Sequence, residues 1–190
     1  MLHFTVYMIA AFLFLLRMIT ITHHWDGTAL PREEQAEFSV AQEGERVMVR
    51  ATAALPYGIC APHAPVGFTD GLWEYDVLEL FAVAPDGTYI EIELGPRGHW
   101  LAYWFSSYRE RVVREIDRTQ LVYTTQLVGS SWSVECSFPS AWLPSQWADL
   151  RWNWYQIRRR GDAGEYDYLA WKSDPTVAPD FHRTECFASL

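Results

Sequence analysis

Lysine and asparagine are almost missing from this chain: Lys172 and Asn153 are the single examples of each, against fourteen arginines. Asn153 is followed by Trp154 and Tyr155, so there is no N-glycosylation sequon. Cysteine is scarce too. Cys60, Cys136 and Cys186 make an odd number with no CxxC spacing, which argues against a disulfide framework and against a zinc knuckle, and fits a reducing, cytoplasmic setting. Positive charge is outweighed: the formal net charge is -9 and the pI about 5.1, and no basic patch is interleaved with aromatics, so nucleic acid is not an expected partner. The densest basic run, Arg158 to Arg160 ahead of Gly161, reads as a solvated hairpin tip. No GxSxG, HExxH, P-loop or GxGxxG motif occurs, Cys60 and His63 share a loop without an orienting partner, and His23, His24, His63, His99 and His182 lack metal-ligand spacing.

Long apolar runs are also lacking. The longest, from Phe4 to Leu16, falls short of the roughly 18 to 20 residues that span a bilayer. It resembles a signal h-region, but no basic residue precedes it and no small-x-small cleavage site follows. Residues 1–17 are therefore expected to be an apolar extension outside the fold, arising from an upstream start or serving as an export signal or anchor; membrane contact or export depends on that segment.

What the chain does have is aromatics. They make up 16% of residues, ten of them Trp, within a 49% hydrophobic composition that calls for a packed core and argues against disorder. At 190 residues one core is expected, over residues 18–190. Short alternating segments recur between turn signals such as EGE (Glu43–Glu45), PDG (Pro85–Gly87) and RGDAG (Arg160–Gly164), giving eleven expected strands. Only Pro139–Gln146 offers a short helical turn. The expected fold is all-β, a sandwich of two antiparallel sheets with little helix. The proline- and glycine-rich segment from Ala54 to Gly71 is expected to be a long surface loop.

That loop leads into LWEYDVLELF (Leu72–Phe81), where strand alternation puts Trp73, Tyr75, Val77, Glu79 and Phe81 on one face. A carboxylate among large apolar neighbours costs several kcal/mol unless it is paired. In the next strand Ile90, Ile92 and Leu94 share one side, and Tyr89, Glu91 and Glu93 the other. A hairpin through PDG would bring aromatic plates and carboxylates onto one sheet face. Apolar C–H faces of a sugar stack on such rings while its hydroxyls donate to carboxylates. Asn153, in the aromatic strand RWNWYQI, offers both a donor and an acceptor. The same alternation also fits a half-exposed sheet, with Glu91 and Glu93 facing water, Glu79 paired to Arg97 or Arg158, Trp73 in the core, and Asn153 bonded to backbone.

The motifs LWEYDVLELF, YIEIELGPRGHWL and the closing PDFHRTECFASL resemble a small single-domain family related to the family 9 carbohydrate-binding modules, from about His23 onward. The resemblance implies an immunoglobulin-like or jelly-roll β-sandwich that binds saccharides without cleaving them. It implies that Trp73 and Glu79, six positions apart, contribute to the sugar pocket, and that Asn153 matches a sugar-binding amide. The second aromatic of the clamp is left open among Tyr155, Trp154 and Trp171. Calcium accompanies some of those modules, but no Asp-rich loop marks a site here, and no cofactor is expected. The expected ligand site is thus Trp73, Glu79, Glu91, His99, Asn153, Trp171 and His182, for a saccharide or similar polyol. The alternatives are a small glycan-active hydrolase or isomerase with Glu79 as general acid or base, and a protein-interaction domain with exposed tryptophans.

Overall fold

The computed structural model describes residues 17–161 and 164–190. The expectations for residues 1–16 lie outside the described residues. The strands are β1 (Arg17–Ile21), β2 (Ala36–Glu43), β3 (Arg46–Ala54), β4 (Val77–Val83), β5 (Tyr89–Leu94), β6 (Trp100–Ser107), β7 (Glu110–Val112), β8 (Val122–Val128), β9 (Ser131–Pro139), β10 (Arg151–Arg160) and β11 (Glu165–Ala170). They pair antiparallel in two sheets, ordered β1-β2-β3-β9-β8 and β11-β10-β4-β5-β6-β7. Helix is limited, among the described residues, to single three-residue 3-10 turns. The architecture is the two-sheet β-sandwich that strand spacing implies.

Alternation decides which side chains meet between the sheets. β3 sends Val47, Val49, Ala51 and Ala53 inward; β4 sends Leu78, Leu80 and Ala82, and β5 sends Ile90, Ile92 and Leu94. Phe38, Trp132, Phe138, Trp152 and Trp154 fill the space between the layers, which accounts for much of the tryptophan content. Asp86 in the PDG turn accepts from the Thr88 backbone N–H at 3.0 Å, and Gly87 takes φ +87°, so the β4–β5 hairpin forms where the sequence places it.

Every residue of β4 and β5 is buried, on both faces. The outer face of the six-stranded sheet carries a second apolar cluster, including Val77, Phe81, Tyr89, Leu101, Phe105, Tyr155 and Ile157, under a cover of Trp25, Phe181 and Phe187. The chain beyond β11 thus folds back over this face. Phe181 stacks on Tyr155 with ring centroids 3.9 Å apart, and the Trp25 indole N–H donates to Val177 O at 2.9 Å.

Three local expectations need correcting. Leu72–Glu74 is a 3-10 turn entered through Gly71 at φ +76°, so Trp73 lies on a turn ahead of the strand and not on it. Arg111–Ile116, one of the eleven segments that read as strands, pairs only over Glu110–Val112. Arg158 is not at a solvated tip: it is 1% exposed and pairs with Glu34 at 2.9 Å, because its position in β10 points it to the inner side of the sheet. Neither Arg158 nor Arg97 is an ion-pair partner of Glu79 among the described residues. No disulfide joins Cys60, Cys136 or Cys186.

Candidate functional site

The outer face of the six-stranded sheet carries rows of directly opposed residues. One row runs Tyr155–Glu79–Glu93–Leu101, and the next includes Phe81–Glu91–Tyr103. Glu79 and Glu93 are therefore cross-strand neighbours, with Glu91 two residues along the same face. Carboxylate oxygens from Glu79, Glu91 and Glu93 all lie within 4.8 Å of one another, and the three residues are 2%, 6% and 0% exposed. Glu91 and Glu93 thus do not face open water, as a half-exposed sheet would have them.

Nothing of opposite sign neutralises this group directly. No ion pair reaches any of the three among the described residues. One oxygen of Glu79 and both of Glu93 receive no hydrogen bond from a donor group. Burial is accordingly the first cause that drives each carboxyl above its ordinary range. The charge of Glu91 adds to it for Glu79, and the charges of Glu79 and Glu91 add to it for Glu93. Glu91 is pushed up to about 7 by burial, tempered by its hydrogen bond with Glu93 and by Arg109 and Arg111.

Above these carboxylates the surface opens into a cleft of about 600 Å³. Glu79 and Glu91 lie on its floor; Trp73, Tyr103 and Phe105 supply rings, and Arg109, Arg111, Asp180 and His182 polar groups. Trp73 is 42% exposed, an indole held over the cleft edge by its turn. Arg111 lies 4.4 Å from the Tyr103 ring centroid, and Tyr103 donates to Asp70. The far wall is the chain beyond β11, anchored through Asp180. The Tyr108 hydroxyl donates to Asp180 Oδ2 at 2.6 Å and the Arg109 guanidinium to Oδ1 at 2.7 Å. Burial opposes ionisation of Asp180, but these hydrogen bonds outweigh it and hold the carboxyl below its ordinary range. Arg109 takes φ +57° in the β6–β7 turn, which directs its backbone N–H onto the Tyr89 hydroxyl at 3.0 Å. That hydroxyl is also 2.7 Å from His182 Nδ1, where a neutral imidazole can accept the phenolic O–H. Burial first, then Arg109, lower the imidazole to about 4.

Of the seven residues expected from sequence, the cleft brings together Trp73, Glu79, Glu91 and His182. Asn153, His99 and Trp171 do not line it. Asn153 is fully buried; its amide donates to Tyr155 Oη at 2.6 Å and Lys172 O at 2.9 Å and accepts from the Trp154 and Lys172 N–H groups, so it has no free valence. His99 is 2% exposed and bonds Ala64 O at 3.0 Å, tying down the long loop. Trp171 packs against the core between the sheets. Sequence reasoning missed Tyr103, Arg109, Arg111, Asp180 and Phe181 as lining residues. Only the last two carried a signal, within the PDFH motif.

No protein-family model matches the chain, and no curated protein matches it. Among solved structures, a candidate carbohydrate-binding protein from Bacteroides uniformis superposes with a TM-score of 0.73 at 16% identity, over 91% of this chain and 84% of that one. A family 9 carbohydrate-binding module from Caldicellulosiruptor kristjanssonii is similar in its glucose complex (TM-score 0.57, 11% identity, 92% and 80% covered). It is similar again in its cellotriose complex (TM-score 0.56, 10% identity, 92% and 78% covered). The chain shares the β-sandwich fold of these modules.

Proposed function

We propose that this chain is a saccharide-binding domain whose ligand lies in the cleft between the outer sheet face and residues 179–182. The observation that carries the reading is the convergence of an exposed indole, Trp73, with two floor carboxylates, Glu79 and Glu91, on one open cleft. Trp73 would stack on the apolar face of a sugar ring, Glu79 and Glu91 would accept from hydroxyls, and His182 and Arg111 would border the rim. Fold neighbours described in complexes with glucose and cellotriose support the ligand class. The reading is tested on a glycan array that includes cellotriose. The unmodified chain should retain one glycan class, and Glu79→Gln, which keeps shape but replaces a carboxyl oxygen by an amide donor, should lose it. Retention by neither protein overturns the reading.

A second reading has an observation of its own. Glu91, pushed to about 7, lies in the range where a carboxyl serves as general acid or base. Product chromatography of the retained glycan after prolonged incubation separates the two: unchanged glycan supports binding alone, and a cleaved or isomerised product supports an enzyme.

A further inference from the structure

The saccharide reading uses Glu79 and Glu91 but leaves Glu93 unexplained. Glu93 is fully buried beneath the floor, both of its oxygens lack a donor group, and its side chain is directed at the other two carboxylates. A carboxylate in that position is costly, and an apolar side chain would serve the sheet better. Ionising all three would set like charges against one another in a buried setting, with oxygens within 4.8 Å. The two cations that act on Glu91 form no ion pair with it: Arg109 bonds Asp180 at 2.7 Å, and Arg111 lies over the Tyr103 ring. Buried, all-oxygen, anionic and open on one side, the group has the donor set of a hard divalent cation.

We propose that Glu79, Glu91 and Glu93 form a calcium-binding site in the cleft floor, with coordination positions left open toward the cleft for a pair of saccharide hydroxyls. Carboxylates gathered on one buried face suit Ca²⁺, which takes about six to eight oxygens in flexible geometry, better than Mg²⁺, which demands near-ideal octahedral geometry and keeps its waters. Glu93 would bind from below, while Glu79 and Glu91 bridge the ion and the cleft. The cation would offset the like-charge repulsion, and by linkage cation and saccharide would each raise the other's affinity. This last part rests on the saccharide reading; the cation site itself does not.

The test uses the full chain stripped with EDTA. Calorimetric titration with Ca²⁺ and Tb³⁺ luminescence sensitised through the cleft aromatics should both show one saturable site, with Mg²⁺ weaker. Glu93→Gln should weaken Ca²⁺ binding roughly tenfold or more, while Glu135→Gln, at an exposed carboxylate, should leave it unchanged. Absence of Ca²⁺ heat and of Tb³⁺ emission, or equal weakening by both variants, overturns the site. Glycan arrays run with Ca²⁺ and with EDTA test the shared coordination: retention should fall in EDTA, and equal retention overturns that part. Ca²⁺ binding with no glycan retained under either condition leaves the cation site standing and overturns the saccharide reading instead.

Discussion

The Tyr89 hydroxyl lies 2.7 Å from His182 Nδ1, joining the outer face of β5 to the segment that walls the cleft. Burial and the neighbouring Arg109 disfavour the charged imidazole, whose neutral form can accept the phenolic O–H while Arg109 N–H donates to the same oxygen. Folding thus lowers the imidazole from an ordinary 6.5 to about 4. The unfolded chain takes up its proton first, so the contribution is complete above about 6.5 and is lost as pH falls toward 4. Urea unfolding should show up to about 3 kcal/mol of acid-dependent loss over that window, and His182→Asn should lack it. Identical pH profiles for the two proteins would contradict the arrangement.

Glu93→Leu should stabilise the chain in EDTA by about 1 to 3 kcal/mol at pH 8, since it replaces a buried carboxyl without donors by an apolar group of similar size. The raised Glu93 carboxyl stays protonated above its ordinary range while the unfolded chain ionises first, so wild-type stability falls as pH rises and the gain should shrink toward pH 4. Denaturant midpoints at the two pH values measure it.

Trp73→Ala should separate binding from folding. The side chain is 42% exposed on a turn, so unfolding free energy should change by no more than about 0.5 kcal/mol, while loss of ring stacking should cost about 1 kcal/mol or more of glycan affinity. Calorimetry against the retained glycan checks the second figure.

Phe181→Ala should act on both. It removes the ring stacked at 3.9 Å on Tyr155, with an expected loss of about 3 kcal/mol, and releases the cleft wall. Hydrogen exchange should speed up over residues 179–187 more than in β4 or β5.

The sheets were legible because alternation is dictated by the pleat: Leu78 and Leu80 against Glu79, and Ile90 and Ile92 against Glu91 and Glu93, sort to opposite faces as written, and PDG closes the hairpin between them. Trp73 was assigned to a strand because a period of two continues back through it; the left-handed Gly71 begins a turn there instead. Asn153 looked like a reader of hydroxyls because the sequence does not show that Lys172 passes within reach of its amide. Arg158 looked solvated because a run of three arginines conceals the alternation that buries the first of them. Arg109 and Arg111 gave no signal, since their place beside the carboxylates depends on β7 lying next to β6 at the sheet edge.

The segment Pro179–His182 follows every described strand, yet it supplies one side of the cleft. The strands alone therefore leave this cleft one-sided, and competence to hold a ligand rests on a segment outside both sheets. A chain cut after β11 would present its acidic floor bare to solvent.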